Sequence, residues 1–93
     1  PLVMINHYPL VATPLKRLTR IPQFSIWCGT TLTCDWHLKY PVSVMVYGHL
    51  HIRSTDYYDG IRFEEVSLGY PQHWSPDKGM DYYLRQILPP PIV

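Results

Sequence analysis

The stretch "VSVMVY", residues 42–47, constrains the fold most. It is a continuous apolar, β-branched run closed by Gly48, the pattern of a strand buried on both faces. Such strands sit inside parallel sheets, and parallel neighbours need a crossover between them. A second short run, "LVMIN" at 2–6, reads as the other buried strand, ended by Asn6 and then Pro9. Between the two, Pro9, Pro14 and Pro22 bar any long helix but leave room for helical turns around 14–20 and 22–27. "TTLTCDWHLKY", residues 30–40, is the helix candidate of the crossover. Gly29 and Thr30 open it, Lys39 suits its last turn, and Pro41 ends it. Leu32, Trp36 and Tyr40 fall at i, i+4 and i+8, which predicts one apolar stripe.

Downstream, Asp59-Gly60 lies between two β-prone runs, the dipeptide of a two-residue type I′ hairpin. It predicts strands near 52–58 and 61–67. "SLGYPQHWSPDKG" reads as loop, "MDYYLRQIL" as a short helix or strand, and "PPPIV" as a mobile polyproline-like tail. The expected class is mixed α/β, with residues 1–88 as one domain piece and 89–93 as tail. The chain opens on Pro1, already inside an apolar strand, which predicts a piece of a longer protein.

Hydrophobic residues make up 46% of the 93 and charged residues 16%, enough for a core and against disorder. A net charge of +1 is too weak a bias to argue for a nucleic-acid or anionic-membrane partner. No apolar run approaches the roughly 20 residues of a membrane span, and no signal peptide is visible. Cys28 and Cys34 make neither a disulfide framework nor a zinc cage. They read as reduced, partly buried thiols of a cytoplasmic protein.

His49 and His51 follow the Gly48 that stops the 42–47 strand, and His7 follows the 2–6 strand. In an extended segment, residues i and i+2 point the same way, roughly 6–7 Å apart along the chain. If the two strands are parallel neighbours, all three imidazoles gather at one sheet edge, where ligand sites collect in open α/β sheets. Neutral imidazole is a common ligand for zinc, iron and manganese. A single histidine is more often structural than ligating, so spacing alone leaves the metal-site and structural readings both open. The carboxylates Asp35, Asp56, Asp59, Glu64, Glu65, Asp77 and Asp81 fall on the helix, the hairpin and the tail. None is expected at the end of a buried strand, so the histidines look like half of a site.

"MINHYPL", later "VMVYGHLH", and then the D-G hairpin resemble the C-terminal half of calcineurin-like metallophosphoesterases. The wider stretch "WCGTTLTCDWHLKYPVSVMVYGHLHIRSTDYYDGIRFEEVSLGYPQHW" is similar to the phosphopantetheinyl hydrolase type within that family. The resemblance implies a four-layer α/β/β/α sandwich with a mixed sheet and a hairpin. It implies two divalent ions (Mn, Fe or Zn), with His7 and His49 on one and His51 on the other. It also implies hydrolysis of phosphate mono- or diesters by metal-activated water, with a phosphopantetheinylated carrier protein as partner. The family's D-x-H, G-D and G-N-H-[DE] motifs are not in these residues, so the catalytic residues are expected upstream of Pro1. By itself this stretch is then expected to be inactive, to bind metal poorly and to expose an unpaired sheet edge.

Arg17, with Lys16 and Arg20 around it, follows His7 and is a candidate for substrate phosphate; Tyr8 is a candidate for stacking on substrate. A solvated loop for the former and packing for the latter weigh at least as much. Trp27, Trp36 and Trp74 read as core or rim anchors, and His37 and His73 as structural. Asp59 and Gly60 serve the turn, and Ser67 and Tyr70 gain no role. Two other functions compete: a cupin-like mononuclear metal enzyme, and a non-catalytic α/β interaction module.

Overall fold

The computed structural model describes residues 2–17 and 28–90. Its four strands form one mixed sheet: β1 (Leu2–Ile5), β2 (Val42–Tyr47), β3 (Ser54–Tyr58) and β4 (Ile61–Glu65), in the order β1-β2-β4-β3. β1 and β4 both run parallel to β2, and β3 closes on β4 antiparallel. The expected parallel neighbours are therefore present, linked by the expected crossover. β1 is shorter and barer than a buried strand: Ile5 is 75% exposed, because β1 lies at the sheet's edge among the described residues. These parallel pairings do not match the antiparallel double sheets of cupins.

The hairpin forms as its sequence dictates. Asp59 (φ 54°) and Gly60 (φ 77°) both take the left-handed backbone that a type I′ turn demands. The strands are shorter than expected, starting at Ser54 and ending at Glu65. What the turn did not reveal is which hairpin strand goes inside. β4 pairs with β2, with Met45 beside Phe63 and Tyr47 beside Glu65, so the second strand of the hairpin is central. Gly60→Ala puts a Cβ on a left-handed residue and is expected to destabilise the chain by about 1–2 kcal/mol, read as a lower urea midpoint.

One face of the sheet carries the core. Met45, Tyr47 and Phe63 pack with Leu10, Cys28 and Leu50. The crossover covers this face, though not as one helix. A 3-10 turn at Thr31–Thr33 precedes a single α-turn, α1 (Trp36–Lys39). The proposed stripe is not buried: Leu32 is 81% exposed, and Trp36 and Tyr40 are also open. Thr33 and His37 are buried instead, because each has a partner. Thr33 Oγ1 donates to the Leu10 carbonyl at 2.8 Å. His37 Nε2 lies 2.8 Å from Asp59 Oδ2, and its ring meets the Phe63 ring edge-on. His37 is structural as expected, but Asp59 does more than turn the chain, since it ties the hairpin to α1.

The other face is covered by the C-terminal segment. Pro71–His73 and Pro76–Lys78 are 3-10 turns inside the expected loop, and α2 (Met80–Tyr83) is one helical turn. Three arginines fasten this segment, Arg53 and Arg62 through its carbonyls and its own Arg85 through groups on the hairpin. Arg53 donates to Tyr83 O, Arg62 to Ile87 O, and Arg85 to Ser54 O and Glu64 Oε1. The proline-rich tail is held at its start, where Gln86 Nε2 donates to Pro89 O at 2.8 Å; residues 91–93 lie outside the described part. Neither cysteine is in a disulfide; Cys28 is buried and Cys34 exposed, and burial pushes the Cys28 thiol pKa up.

Candidate metal centre

The site is built by the ends of β1 and β2. The parallel ladder continues past both strands: Asn6 N donates to Val46 O, and Gly48 N donates to His7 O at 3.1 Å. That last bond sets the two histidine-bearing ends side by side. Asn6 Nδ2 also donates to Tyr8 O at 2.9 Å, fixing the bend after His7. His7 Nε2 and His49 Nδ1 thereby come within 3.0 Å of each other. Tyr8 packs edge-on against both rings, with centroids 4.7 Å from each.

The segment 48–51 is not extended, contrary to the expectation for H-x-H on a strand. Leu50 N donates to Gly48 O at 2.9 Å across His49, whose φ is 72°. This is the φ of a γ-turn of the rare, strained kind. His51 is also left-handed, at φ 58°. The turn drives Leu50 into the core and leaves the two histidines to flank it. Gly48 is needed for closeness rather than for a special φ, since a Cβ there would stand 3.3 Å from Ser67 Oγ. Strain on two non-glycine residues in one turn is a feature of sites where geometry serves function.

His51 packs its ring edge-on against Tyr70, centroids 4.6 Å apart, so Tyr70, which gains no role from its sequence position, belongs to the site's surroundings. Burial pushes the His49 imidazole below its ordinary pKa, with the charges of His7 and His51 acting the same way and Glu65 opposing. Arg17 closes the 3-10 turn Thr13–Arg17, but its side chain lies outside the described part, as do those of Lys16 and His73, and Arg20 and Trp27 altogether.

Glu65 is the residue that sequence reasoning missed. It ends β4 and is 0% exposed, so one carboxylate does sit at the tip of a buried strand. Its Oε2 accepts from Ile52 N at 3.0 Å and its Oε1 from Ser67 N at 2.6 Å. The one available sign was a pair of acids, Glu64-Glu65, inside an otherwise β-prone run.

Among the described residues no group of three or more His, Cys, Asp or Glu is disposed to hold a metal. The donor chemistry of the His7–His49 pair nevertheless fits a metal. With metal–nitrogen bonds of about 2.0–2.1 Å, two nitrogens on adjacent positions of a coordination shell stand roughly 3 Å apart. The observed 3.0 Å matches, and the depressed His49 pKa favours the neutral, ligating ring. The pair fits two positions of a shell; further ligands must come from beyond it.

The chain matches known proteins along nearly its whole length. It is 54% identical over 91 residues, 98% of the chain, to an acyl-carrier-protein phosphodiesterase, PptH, of Mycobacterium tuberculosis. The chain spans 28% of that relative's length. It also superposes on the crystal structure of phosphopantetheinyl hydrolase PptH from Mycobacterium tuberculosis with a TM-score of 0.87 and 53% identity. That match covers 98% of this chain and 32% of the other. No family model matches the sequence. No helix among the described residues is long and apolar enough to cross a membrane.

Proposed function

We propose that these residues form part of the active site of a metal-dependent phosphodiesterase. Its substrate is the phosphopantetheine arm of a carrier protein. The observation that carries this reading is the meeting of His7 and His49 at the tips of adjacent parallel strands, 3.0 Å apart. The similarity to PptH supplies the substrate class. The short span of the match supports the view that the remaining ligands and the catalytic residues lie in a longer protein. A four-layer metallophosphoesterase sandwich, of which this sheet is one half, completes the proposal.

In this reading His7 and His49 hold one divalent ion and His51 contributes to the other. Such ions lower the pKa of bound water and offset charge on phosphate oxygens. The chain's own residues do the positioning. Tyr8 seals one side of the His7–His49 pair and limits the rotation of both rings. Tyr70 backs His51. The exposed faces of these two tyrosines border the site and offer apolar surface to the pantetheine arm.

The decisive experiment incubates the full-length protein with a phosphopantetheinylated carrier protein and detects the released arm by mass. Release is expected with Mn2+ and is expected to disappear on exhaustive chelation; release that survives chelation contradicts the reading. A pH titration of Mn2+ binding gives a further check. A lowered His49 pKa keeps the ring neutral and ligating at pH 7. Binding is then retained down to about pH 6.5, the ordinary imidazole value, and is lost below it as the ring finally protonates. Half-loss above pH 7 runs against this assignment.

A further inference from the structure

We propose that Glu65 is a positioning residue that clamps the His49–His51 turn into its ligating shape, an inference that rests on the metal-dependent reading above. Its two carboxylate oxygens are divided between two backbone amides, one just after the turn and one just after β4. Oε2 takes the amide of Ile52, the residue directly after His51, at 3.0 Å. Oε1 takes the amide of Ser67 at 2.6 Å, and the Ser67 hydroxyl lies against Gly48, at the head of the turn. One buried side chain thus holds the far end of a segment whose two histidines carry left-handed backbone, and fixes the Ser67 backbone whose hydroxyl packs beside the segment's start.

The need for a brace follows from the strain. Left-handed backbone is strained at a non-glycine residue, and the turn holds two such residues. An unbraced segment relaxes toward extended backbone, which swings His49 away from His7. A buried carboxylate is suited to prevent this, because hydrogen bonds to a charged acceptor are about twice as strong as neutral ones. Only a carboxylate fits the role, since both amides donate and both side-chain oxygens accept. A glutamine at position 65 keeps one acceptor and turns an NH2 donor against the other amide.

The test uses the full-length protein with Mn2+ as the probe, measuring affinity by calorimetry and amide exchange at Ile52 and Ser67 by NMR. Glu65→Gln preserves side-chain volume and is expected to weaken Mn2+ binding by 10- to 100-fold, as lost support of a ligand does. One of the two amides loses protection while β2 and β4 amides keep theirs, which a general loss of structure does not produce. Affinity within twofold of the parent, with both amides still protected, overturns the proposal. Should Glu65→Gln fail to fold, the parent protein decides alone: unprotected amides at Ile52 and Ser67 sink the clamp, and protected ones uphold it. His49→Gly separates the two readings. If it leaves Mn2+ affinity unchanged, the metal assignment falls, and the clamp is still judged by exchange at its two amides.

Discussion

His49→Gly is expected to give a protein that is more stable than its parent and almost inactive. The stability gain comes from the backbone. His49 sits at φ 72° in the γ-turn closed by Leu50 N and Gly48 O, a conformation that glycine takes without steric cost. Relief of about 1 kcal/mol is expected, minus whatever the ring's contacts with His7 and Tyr8 contribute. The activity loss comes from the side chain. Without the imidazole the site loses one of the two nitrogens that meet at 3.0 Å, and, on the function proposed above, release of the arm by the full-length protein should fall by roughly 1,000-fold. The denaturant midpoint and the rate of arm release, measured on one preparation, check both halves together. A residue kept only for folding gives the opposite pattern, a less stable protein with its rate intact. Strain maintained against stability, together with such a loss of rate, would mark a functional constraint.

How far the sequence revealed the site depends on which physical rule governs each part. The 42–47 run was legible because an apolar, β-branched run of this kind sits inside a sheet with parallel neighbours, and parallel neighbours end together; the 2–6 run pairs with it as expected but lies at the edge, with Ile5 exposed rather than buried. That rule brought His7 and His49 to one edge. The conformation between them was not legible. A glycine followed by H-L-H reads as a strand continuing, whereas Leu50 is captured by the core and bends the chain around itself. The hairpin was legible from Asp59-Gly60, since few dipeptides adopt its turn. Its inner strand was not, because a turn fixes which two strands pair but not which of them meets a third. This one ambiguity hid Glu65, which read as a hairpin acid away from any buried strand end and is in fact at the tip of a central strand. The crossover misled for a related reason. Its apolar stripe was sought by periodicity, yet the residues buried there are Thr33 and His37, whose partners Leu10 and Asp59 are distant in sequence. The exposed Leu32, Trp36 and Tyr40 follow from two short helical turns standing where one continuous helix was expected.

Arg85→Ala is expected to cost about 3–5 kcal/mol, the usual penalty for stripping the partner from a buried charge. The Glu64–Arg85 pair spans 3.3 Å, with the Glu64 side chain 2% exposed and that of Arg85 22% exposed. An exposed pair of this kind contributes little. Here the carboxylate cannot turn to water, and removal of the guanidinium leaves it, among the described residues, the hydroxyl of Thr55 alone. The same guanidinium also donates to Ser54 O at 2.9 Å and approaches Glu65 O at 3.3 Å, so it joins the C-terminal segment to β3 and to the end of β4. Its loss should therefore loosen β3 first, visible as faster amide exchange along Ser54–Tyr58 than along Val42–Tyr47. The double variant Arg85→Leu with Glu64→Gln removes both charges and keeps most of the volume, and should recover more than half of the loss in a urea titration. A loss under about 1 kcal/mol for Arg85→Ala places the pair in the class of surface bridges. No recovery in the double variant shows instead that the hydrogen bonds to backbone, rather than the buried charge, hold the segment down.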